Sequence, residues 1–236
     1  MTSRIAAAAC ALTLIAACSS EKEGQEHAEP PEVVVPETVE CTDPLKDNPS
    51  EVDARELIAC TTQALADTAG FVSTTTVDGE EFSTMRLNPN PFILDITYPD
   101  GTRIIADLTE AWVKTGGNDW VQADATSDDY VIAQATQIAN TYLAQLDPVL
   151  ATAGLPEDLT LTVTGTEEID GEQCYVLEGK IREETTASDA TYWITSDYRQ
   201  VKTLVEAATA GQEGSMTMEN TITEWDTKQD IEMPGE

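Results

Sequence analysis

Histidine is almost missing from this chain. The single one, His27, lies in Gln25-Glu26-His27-Ala28-Glu29-Pro30, outside any periodic segment. A domain without histidine cannot assemble a Ser-His-Asp or Cys-His nucleophile, and it lacks the residue most often used for general acid–base work. No Gly-X-Ser-X-Gly elbow, phosphate-binding loop or zinc-protease motif occurs. Positive charge is scarce as well: 12 Lys+Arg stand against 44 Asp+Glu, a formal net charge of -32. Such a surface repels phosphate backbones, which argues against nucleic acid as a partner. It also repels anionic lipid headgroups, so any hold on a membrane has to come from something other than charge. With this many carboxylates some glycosidase-like pair is always available, so pairing carries no specificity. The acidity itself reads as a solubility device, a mark of a salty habitat or a cation site, and no calcium-loop spacing supports the last. The expectation is a protein that is not an enzyme and needs no cofactor.

Long apolar runs are missing too, save one at the start. Arg4 precedes an Ala/Leu/Ile stretch that ends Leu14-Ile15-Ala16-Ala17-Cys18, followed by Ser19-Ser20. This is the charged, apolar and small-residue order of a secretory signal. It is too short to span a bilayer, which needs about 20 residues. A cysteine directly after the small residues resembles the bacterial lipobox. The resemblance implies that residues 1–17 are removed as a lipoprotein signal peptide and that Cys18 becomes a diacylglycerylated lipid anchor. The alternative is an ordinary secretory signal in which Cys18 is incidental. Several acyl chains hold a protein to a membrane where one does not. The expected location is therefore the extracytoplasmic face of the cell membrane, with the rest of the chain soluble. Residues 18–40, with Pro30-Pro31, Pro36 and many Glu, read as an extended, self-repelling tether. Residues 41–236 read as a single domain.

Three cysteines remain beyond the leader and Cys18. Export permits disulfides. Cys41 and Cys60 bracket one segment, and a bridge between them would pin the start of the domain to the first helix. Cys174, within Gln173-Cys174-Tyr175-Val176-Leu177, reads as a buried free thiol. The spacings fit no zinc site.

The first helix is expected over Val52–Ala69, capped by Ser50 with Asp53 in capping-box position, and stopped by Gly70. The period then changes to two. Phe71–Val77 and Glu81–Leu87 form a hairpin about Asp78-Gly79. Phe92–Tyr98, Thr102–Leu108 and a short Trp112/Trp120 hairpin follow. Ser127-Asp128-Asp129 opens a second helix with Val131, Ala135, Ile138, Tyr142 and Leu146 on one face. Pro148 ends or kinks it, and Val149–Gly154 can form a shorter piece. Strands return at Leu159–Val163, Cys174–Ile181, Thr191–Thr195, Val201–Ala207 and Ser215–Trp225. Consecutive hairpins favour an antiparallel meander, and one apolar sheet face requires a cover, for which the helices are available.

This organisation resembles the LppX/LprAFG lipoproteins of mycobacteria and their actinobacterial relatives. The matching features are the lipobox cysteine, the polar linker and the helix Asp53–Ala69 running into Phe71-Val72-Ser73. The Trp112–Trp120 hairpin, the central helix, Ile169-Asp170-Gly171-Glu172-Gln173, Tyr192-Trp193-Ile194, the last strand to Trp225 and Pro234 also match. The implied fold is α+β: a large curved antiparallel sheet, a LolA-like half-barrel, with amphipathic helices covering its concave side. The implied function is to hold acyl chains of a lipid or lipoglycan in a hydrophobic cavity and to carry or present them across the cell envelope, with an envelope transporter as partner. The chain departs from the family in its acidity and in the Cys41/Cys60 pair. The alternative is a non-catalytic sensor or scaffold gripping a protein partner.

Leu94, Ile96, Ile104, Val131, Ala135, Ile138, Tyr142, Leu161 and Leu177 are the residues expected to line such a cavity. Plain core packing would use the same residues in the same pattern. Trp112, Trp120, Trp193 and Trp225 likewise read either as a rim for a headgroup or as packing.

Overall fold

The computed structural model describes residues 40–153, 155–156, 158–182, 186–209 and 215–234. The leader, Cys18 and the tether up to residue 39 lie outside the described residues.

Within them the order is β1 (Glu51–Asp53), α1 (Ala54–Asp67), β2 (Phe71–Val77), β3 (Glu80–Pro89), β4 (Phe92–Thr97), β5 (Arg103–Asp107), β6 (Ala111–Lys114) and β7 (Val121–Gln122). There follow α2 (Tyr130–Ala144), α3 (Pro148–Thr152), β8 (Thr160–Ile169), β9 (Glu172–Arg182), β10 (Thr186–Thr195), β11 (Gln200–Thr209) and β12 (Ser215–Thr223). The described strands form one curved, unclosed antiparallel sheet in the order β1-β8-β9-β10-β11-β12-β2-β3-β4-β5-β6-β7. Two meanders, β2–β7 and β8–β12, are sutured where the last strand, β12, pairs with β2, for example Asn220 opposite Thr75.

The start of α1 differs from the sequence expectation. Val52 is drawn into β1, opposite Leu161 of β8. The cap is therefore Asp53, not Ser50: its Oδ1 accepts from the amides of Arg55 at 2.7 Å and Glu56 at 3.2 Å. An Asp at this position satisfies two orphaned amides and complements the helix dipole. The helix ends at Thr68, before Gly70, where space is short. A Cβ on Gly70 would lie 2.3 Å from Asn88 Oδ1 and 2.9 Å from the Leu87 carbonyl. Helix α2 starts where the acidic triplet ends, with Asp129 Oδ1 accepting from the amides of Val131 and Ile132. Pro148 sits in the first turn of α3, capped by Asp147. Strands β10 and β12 depart in length: β10 begins earlier than Thr191, and β12 ends at Thr223 rather than Trp225.

Strand alternation divides the sheet into a helix-bearing inner face and an outer face. The inner face carries two apolar clusters. One joins Met85, Leu87, Leu94, Ile96, Ile104 and Val113 to Ala135 and Ala139 of α2 and Leu65 of α1. The other joins Leu161, Leu177 and Ile194 to Ala54, Leu57 and Cys60 of α1. Helix α1 thus crosses from one cluster to the other. Cys60 is bridged to Cys41, with Cα atoms 4.6 Å apart. Tyr198 holds the same approach segment, donating to Asp43 Oδ1 at 2.5 Å and accepting from the Leu45 amide at 3.2 Å.

Candidate functional site

The inner face is the place to look for a ligand, because it is where the chain spends its apolar side chains. Leu94, Ile96 and Ile104 form a buried floor on β4 and β5, and Ala135 reaches it from α2. Val131, Ile138 and Tyr142 pack against that floor while staying half-buried. Leu161 and Leu177 lie elsewhere, in the second cluster with the first half of α1. The nine residues predicted to share one lining are therefore divided seven and two between the two clusters.

Helix α2 has an unusual composition for this chain. Tyr130–Ala144 contains no Asp, Glu, Lys or Arg, in a protein of net charge -32. Among its residues only Ala135 and Ala139 are fully buried; they are one turn apart and let the helix approach β5 and β6 closely. Its other apolar side chains are half-covered, and Tyr130 is exposed. Leu108, Val121 and Leu150 are also exposed, Leu108 to 66%. A helix that is apolar beyond its buried stripe has surface to give to another apolar body.

Between the two clusters the inner face turns polar. Opposed residues on five successive strands form one row: Tyr192 of β10, Thr203 of β11, Asn220 of β12, Thr75 of β2 and Ser83 of β3. Asn220 Nδ2 donates to Ser73 Oγ at 2.6 Å and to Thr75 Oγ1 at 3.1 Å. Burial pushes the Tyr192 phenol up to about 12, so it stays protonated. The sequence reading missed this row. One local signal was present: Ser73-Thr74-Thr75-Thr76 places hydroxyls on both faces of β2, which a strand over an apolar core does not do.

The outer face carries a different constellation. Asp95 is buried and gripped by two arginines: Arg86 pairs with its Oδ2, and Arg103 Nε donates to Oδ1 at 2.7 Å. The hydrogen bonds to Asp95 raise the Arg103 guanidinium, against burial, which lowers it. The C-terminal segment lies over this face. Arg86 Nη1 donates to the Asp230 carbonyl at 2.9 Å, and Asn88 exchanges hydrogen bonds with the Gln229 backbone. An open pocket of about 500 Å³ remains, lined by Arg103, Ile105, Trp120, Asp230, Glu232, Met233 and Pro234. Arg103 and Lys114 lie 5.6 and 6.0 Å from the Trp120 ring centre. Trp193 donates from Nε1 to Glu167 at 2.7 Å and lies under Lys202, while Trp225 stacks on Phe71 at 5.8 Å. Trp120, Trp193 and Trp225 are thus occupied by cations, a carboxylate or core rings, whereas the Trp112 Nε1 is buried without a hydrogen-bond partner. The Arg103 guanidinium is already paired with Asp95.

Cys174 is buried, and burial with Glu167 nearby pushes its thiol up, which makes it a poor nucleophile. Among the described residues no three His, Cys, Asp or Glu side chains are grouped to hold a metal ion, and no helix is long and apolar enough to cross a membrane.

No family model and no curated protein matches the chain. Among solved structures, the chain aligns with MucB in complex with MucA(peri), at a TM-score of 0.39 and 14% identity over 73% of this chain. The chain spans 55% of the length of that MucB chain. A DUF1329 family protein from Desulfovibrio piger has a TM-score of 0.31 at 14% identity, over 81% of this chain and 96% of its own. A putative outer membrane lipoprotein-sorting protein domain from Vibrio parahaemolyticus has a TM-score of 0.28 at 12% identity, over 74% of this chain and 92% of its own. Identity and overlap this low do not carry a ligand or a partner from those proteins to this chain.

Proposed function

We propose that this protein is a non-enzymatic, lipid-anchored envelope protein that holds the acyl chains of a lipid or lipoglycan between α2 and the inner face of the sheet, and carries or presents them. One observation carries the reading: α2 is uncharged along its whole length, closely seated only through Ala135 and Ala139, and lies on a floor of buried aliphatic residues. Lifting such a helix exposes apolar surface on both sides. An acyl chain that fills the gap recovers about 0.8 kcal/mol per buried CH₂. The lipobox-like segment ending at Cys18 supplies the tether in this reading, and the acidic segment after it sets the reach.

Native mass spectrometry of the full chain taken from membranes tests both halves at once. The expected spectrum shows a covalent diacylglyceryl mass at Cys18 and a second, non-covalent lipid mass that leaves on collisional activation. A protein that carries neither, and that takes up no fluorescent acyl probe, would falsify the carrier reading. The exposed Leu108, Val121, Tyr130 and Leu150 favour a second reading, a protein partner docked through exposed apolar side chains. A stoichiometric envelope protein in the same spectrum, with no lipid, would establish it instead.

A further inference from the structure

The polar row that divides the inner face has unfinished hydrogen bonding. Asn220 and Thr203 are opposed on β12 and β11 and are only 2% and 3% exposed. Asn220 uses both amide hydrogens on Ser73 and Thr75, and its Oδ1 has no partner. Thr203 Oγ1 has none either. Turning the amide over exchanges its ends but still leaves one unmet. Leaving a buried polar atom unpaired costs about 1–3 kcal/mol, and here two such atoms belong to directly opposed residues of the row. Removing them by evolution would have been simple, since Val and Leu fill the same space.

The surroundings say what would complete them. Along this row the other inner-face neighbours are Tyr192, Thr75 and Ser83, and the flanking inner-face residues are Ala190, Val205, Met218, Ser73 and Ile222, none of them charged. Arg86, Arg103 and Lys202 project from the outer face, and Arg199, which stands over the Trp225 ring, is paired with Glu172. A phosphate or carboxylate would therefore enter this row with no counter-charge, at a heavy desolvation cost. A neutral group that both donates and accepts meets no such cost: its O–H satisfies Asn220 Oδ1, and its oxygen accepts from Thr203.

We propose that the Thr203–Asn220 row is a binding site for an uncharged hydroxyl-bearing segment of the ligand, so that the cargo is a hydroxylated or neutral-headed amphiphile rather than a phospholipid held by its phosphate. This rests on the lipid-holding reading above and adds the polar class to it. The neighbouring apolar clusters take the chains on either side of the row, and the row fixes their depth.

The test measures uptake of three pyrene-labelled probes of equal chain length, an alcohol, an alkane and an alkyl phosphate, by the wild-type full chain and by Thr203→Val. Wild type should prefer the alcohol to both others. Thr203→Val should lose that preference by roughly five- to tenfold, the worth of one buried hydrogen bond, while alkane uptake and melting temperature hold or rise. Equal uptake of alcohol and alkane by wild type, or a preference for the phosphate, overturns the inference and leaves the lipid reading standing. A Thr203→Val protein that melts lower with its alcohol preference intact also overturns it, since that is the behaviour of a row closed by bound water. If wild type takes up none of the three probes, both readings fall together.

Discussion

Asp95 shows how a single acidic residue can be kept inside a protein that already has too many. Its carboxylate is 1% exposed, and it is held by Arg86 and Arg103, whose side chains remain about one-third exposed. Two of the chain's twelve basic residues are thus committed to one buried anion. Truncating one partner of such a group leaves the others uncompensated, and the partial exposure of the arginines tempers the loss. Asp95→Asn is expected to lower the unfolding free energy by about 2 kcal/mol, read as a lower urea midpoint at unchanged slope. An unchanged midpoint would mean that the two arginines are as well served by water as by Asp95. The same arithmetic does not apply to Asp53, whose work is local: it is a cap, and caps contribute about 1 kcal/mol.

At the scale of elements, α2 is the part whose seating is most easily disturbed. Ala135 is fully buried in the cluster that contains Leu94, Ile96 and Ile104. Ala135→Leu is expected to destabilise the domain by about 1–3 kcal/mol through overpacking, measured by thermal unfolding, and to reduce uptake of an acyl probe by displacing the helix. A variant that folds and binds as wild type would show that α2 is already free to stand off. This helix was legible in the sequence, because Val131, Ala135, Ile138, Tyr142 and Leu146 repeat at helical spacing and an acidic cap precedes them. The β2–β3 hairpin was legible for the same local reason, with Asp78-Gly79 at its turn. β1 was not. Nothing within Glu51-Val52-Asp53 marks a strand; it exists only because Leu161 lies opposite Val52, far along the chain. The Thr203–Asn220–Thr75 row escaped for a related reason. Its members come from strands whose neighbourhood depends on the β12–β2 suture, and no local pattern encodes that pairing.

At the scale of the molecule, pH acts through tyrosine as well as through the carboxylates. Tyr98, Tyr192 and Tyr198 are each pushed up to about 12, first by burial, with Asp100 adding for Tyr98 and the Asp43 hydrogen bond for Tyr198. The folded state therefore holds these protons more tightly than the unfolded chain, whose phenols titrate near 10. Their contribution is complete below pH 10 and is lost as the pH rises through about 12. Absorbance at 295 nm should show these three phenols ionising late, together with the loss of β-sheet circular dichroism. Their titration near pH 10 in a still-folded protein would contradict the burial described above.

The suture between β12 and β2 also sets an order in time. Each meander can zip locally, hairpin by hairpin, but neither has both of its flanks until Asn220 finds Thr75. That encounter closes a loop of more than half the chain, and non-local closure of this kind is what makes sheet proteins fold slowly. Until it happens the nascent molecule is two open half-sheets with bare backbone edges, the form most prone to pairing with a stranger. The interval before Ser215–Thr223 docks is when this protein most needs protection, and its heavy negative charge is present throughout that interval to keep one copy away from the next.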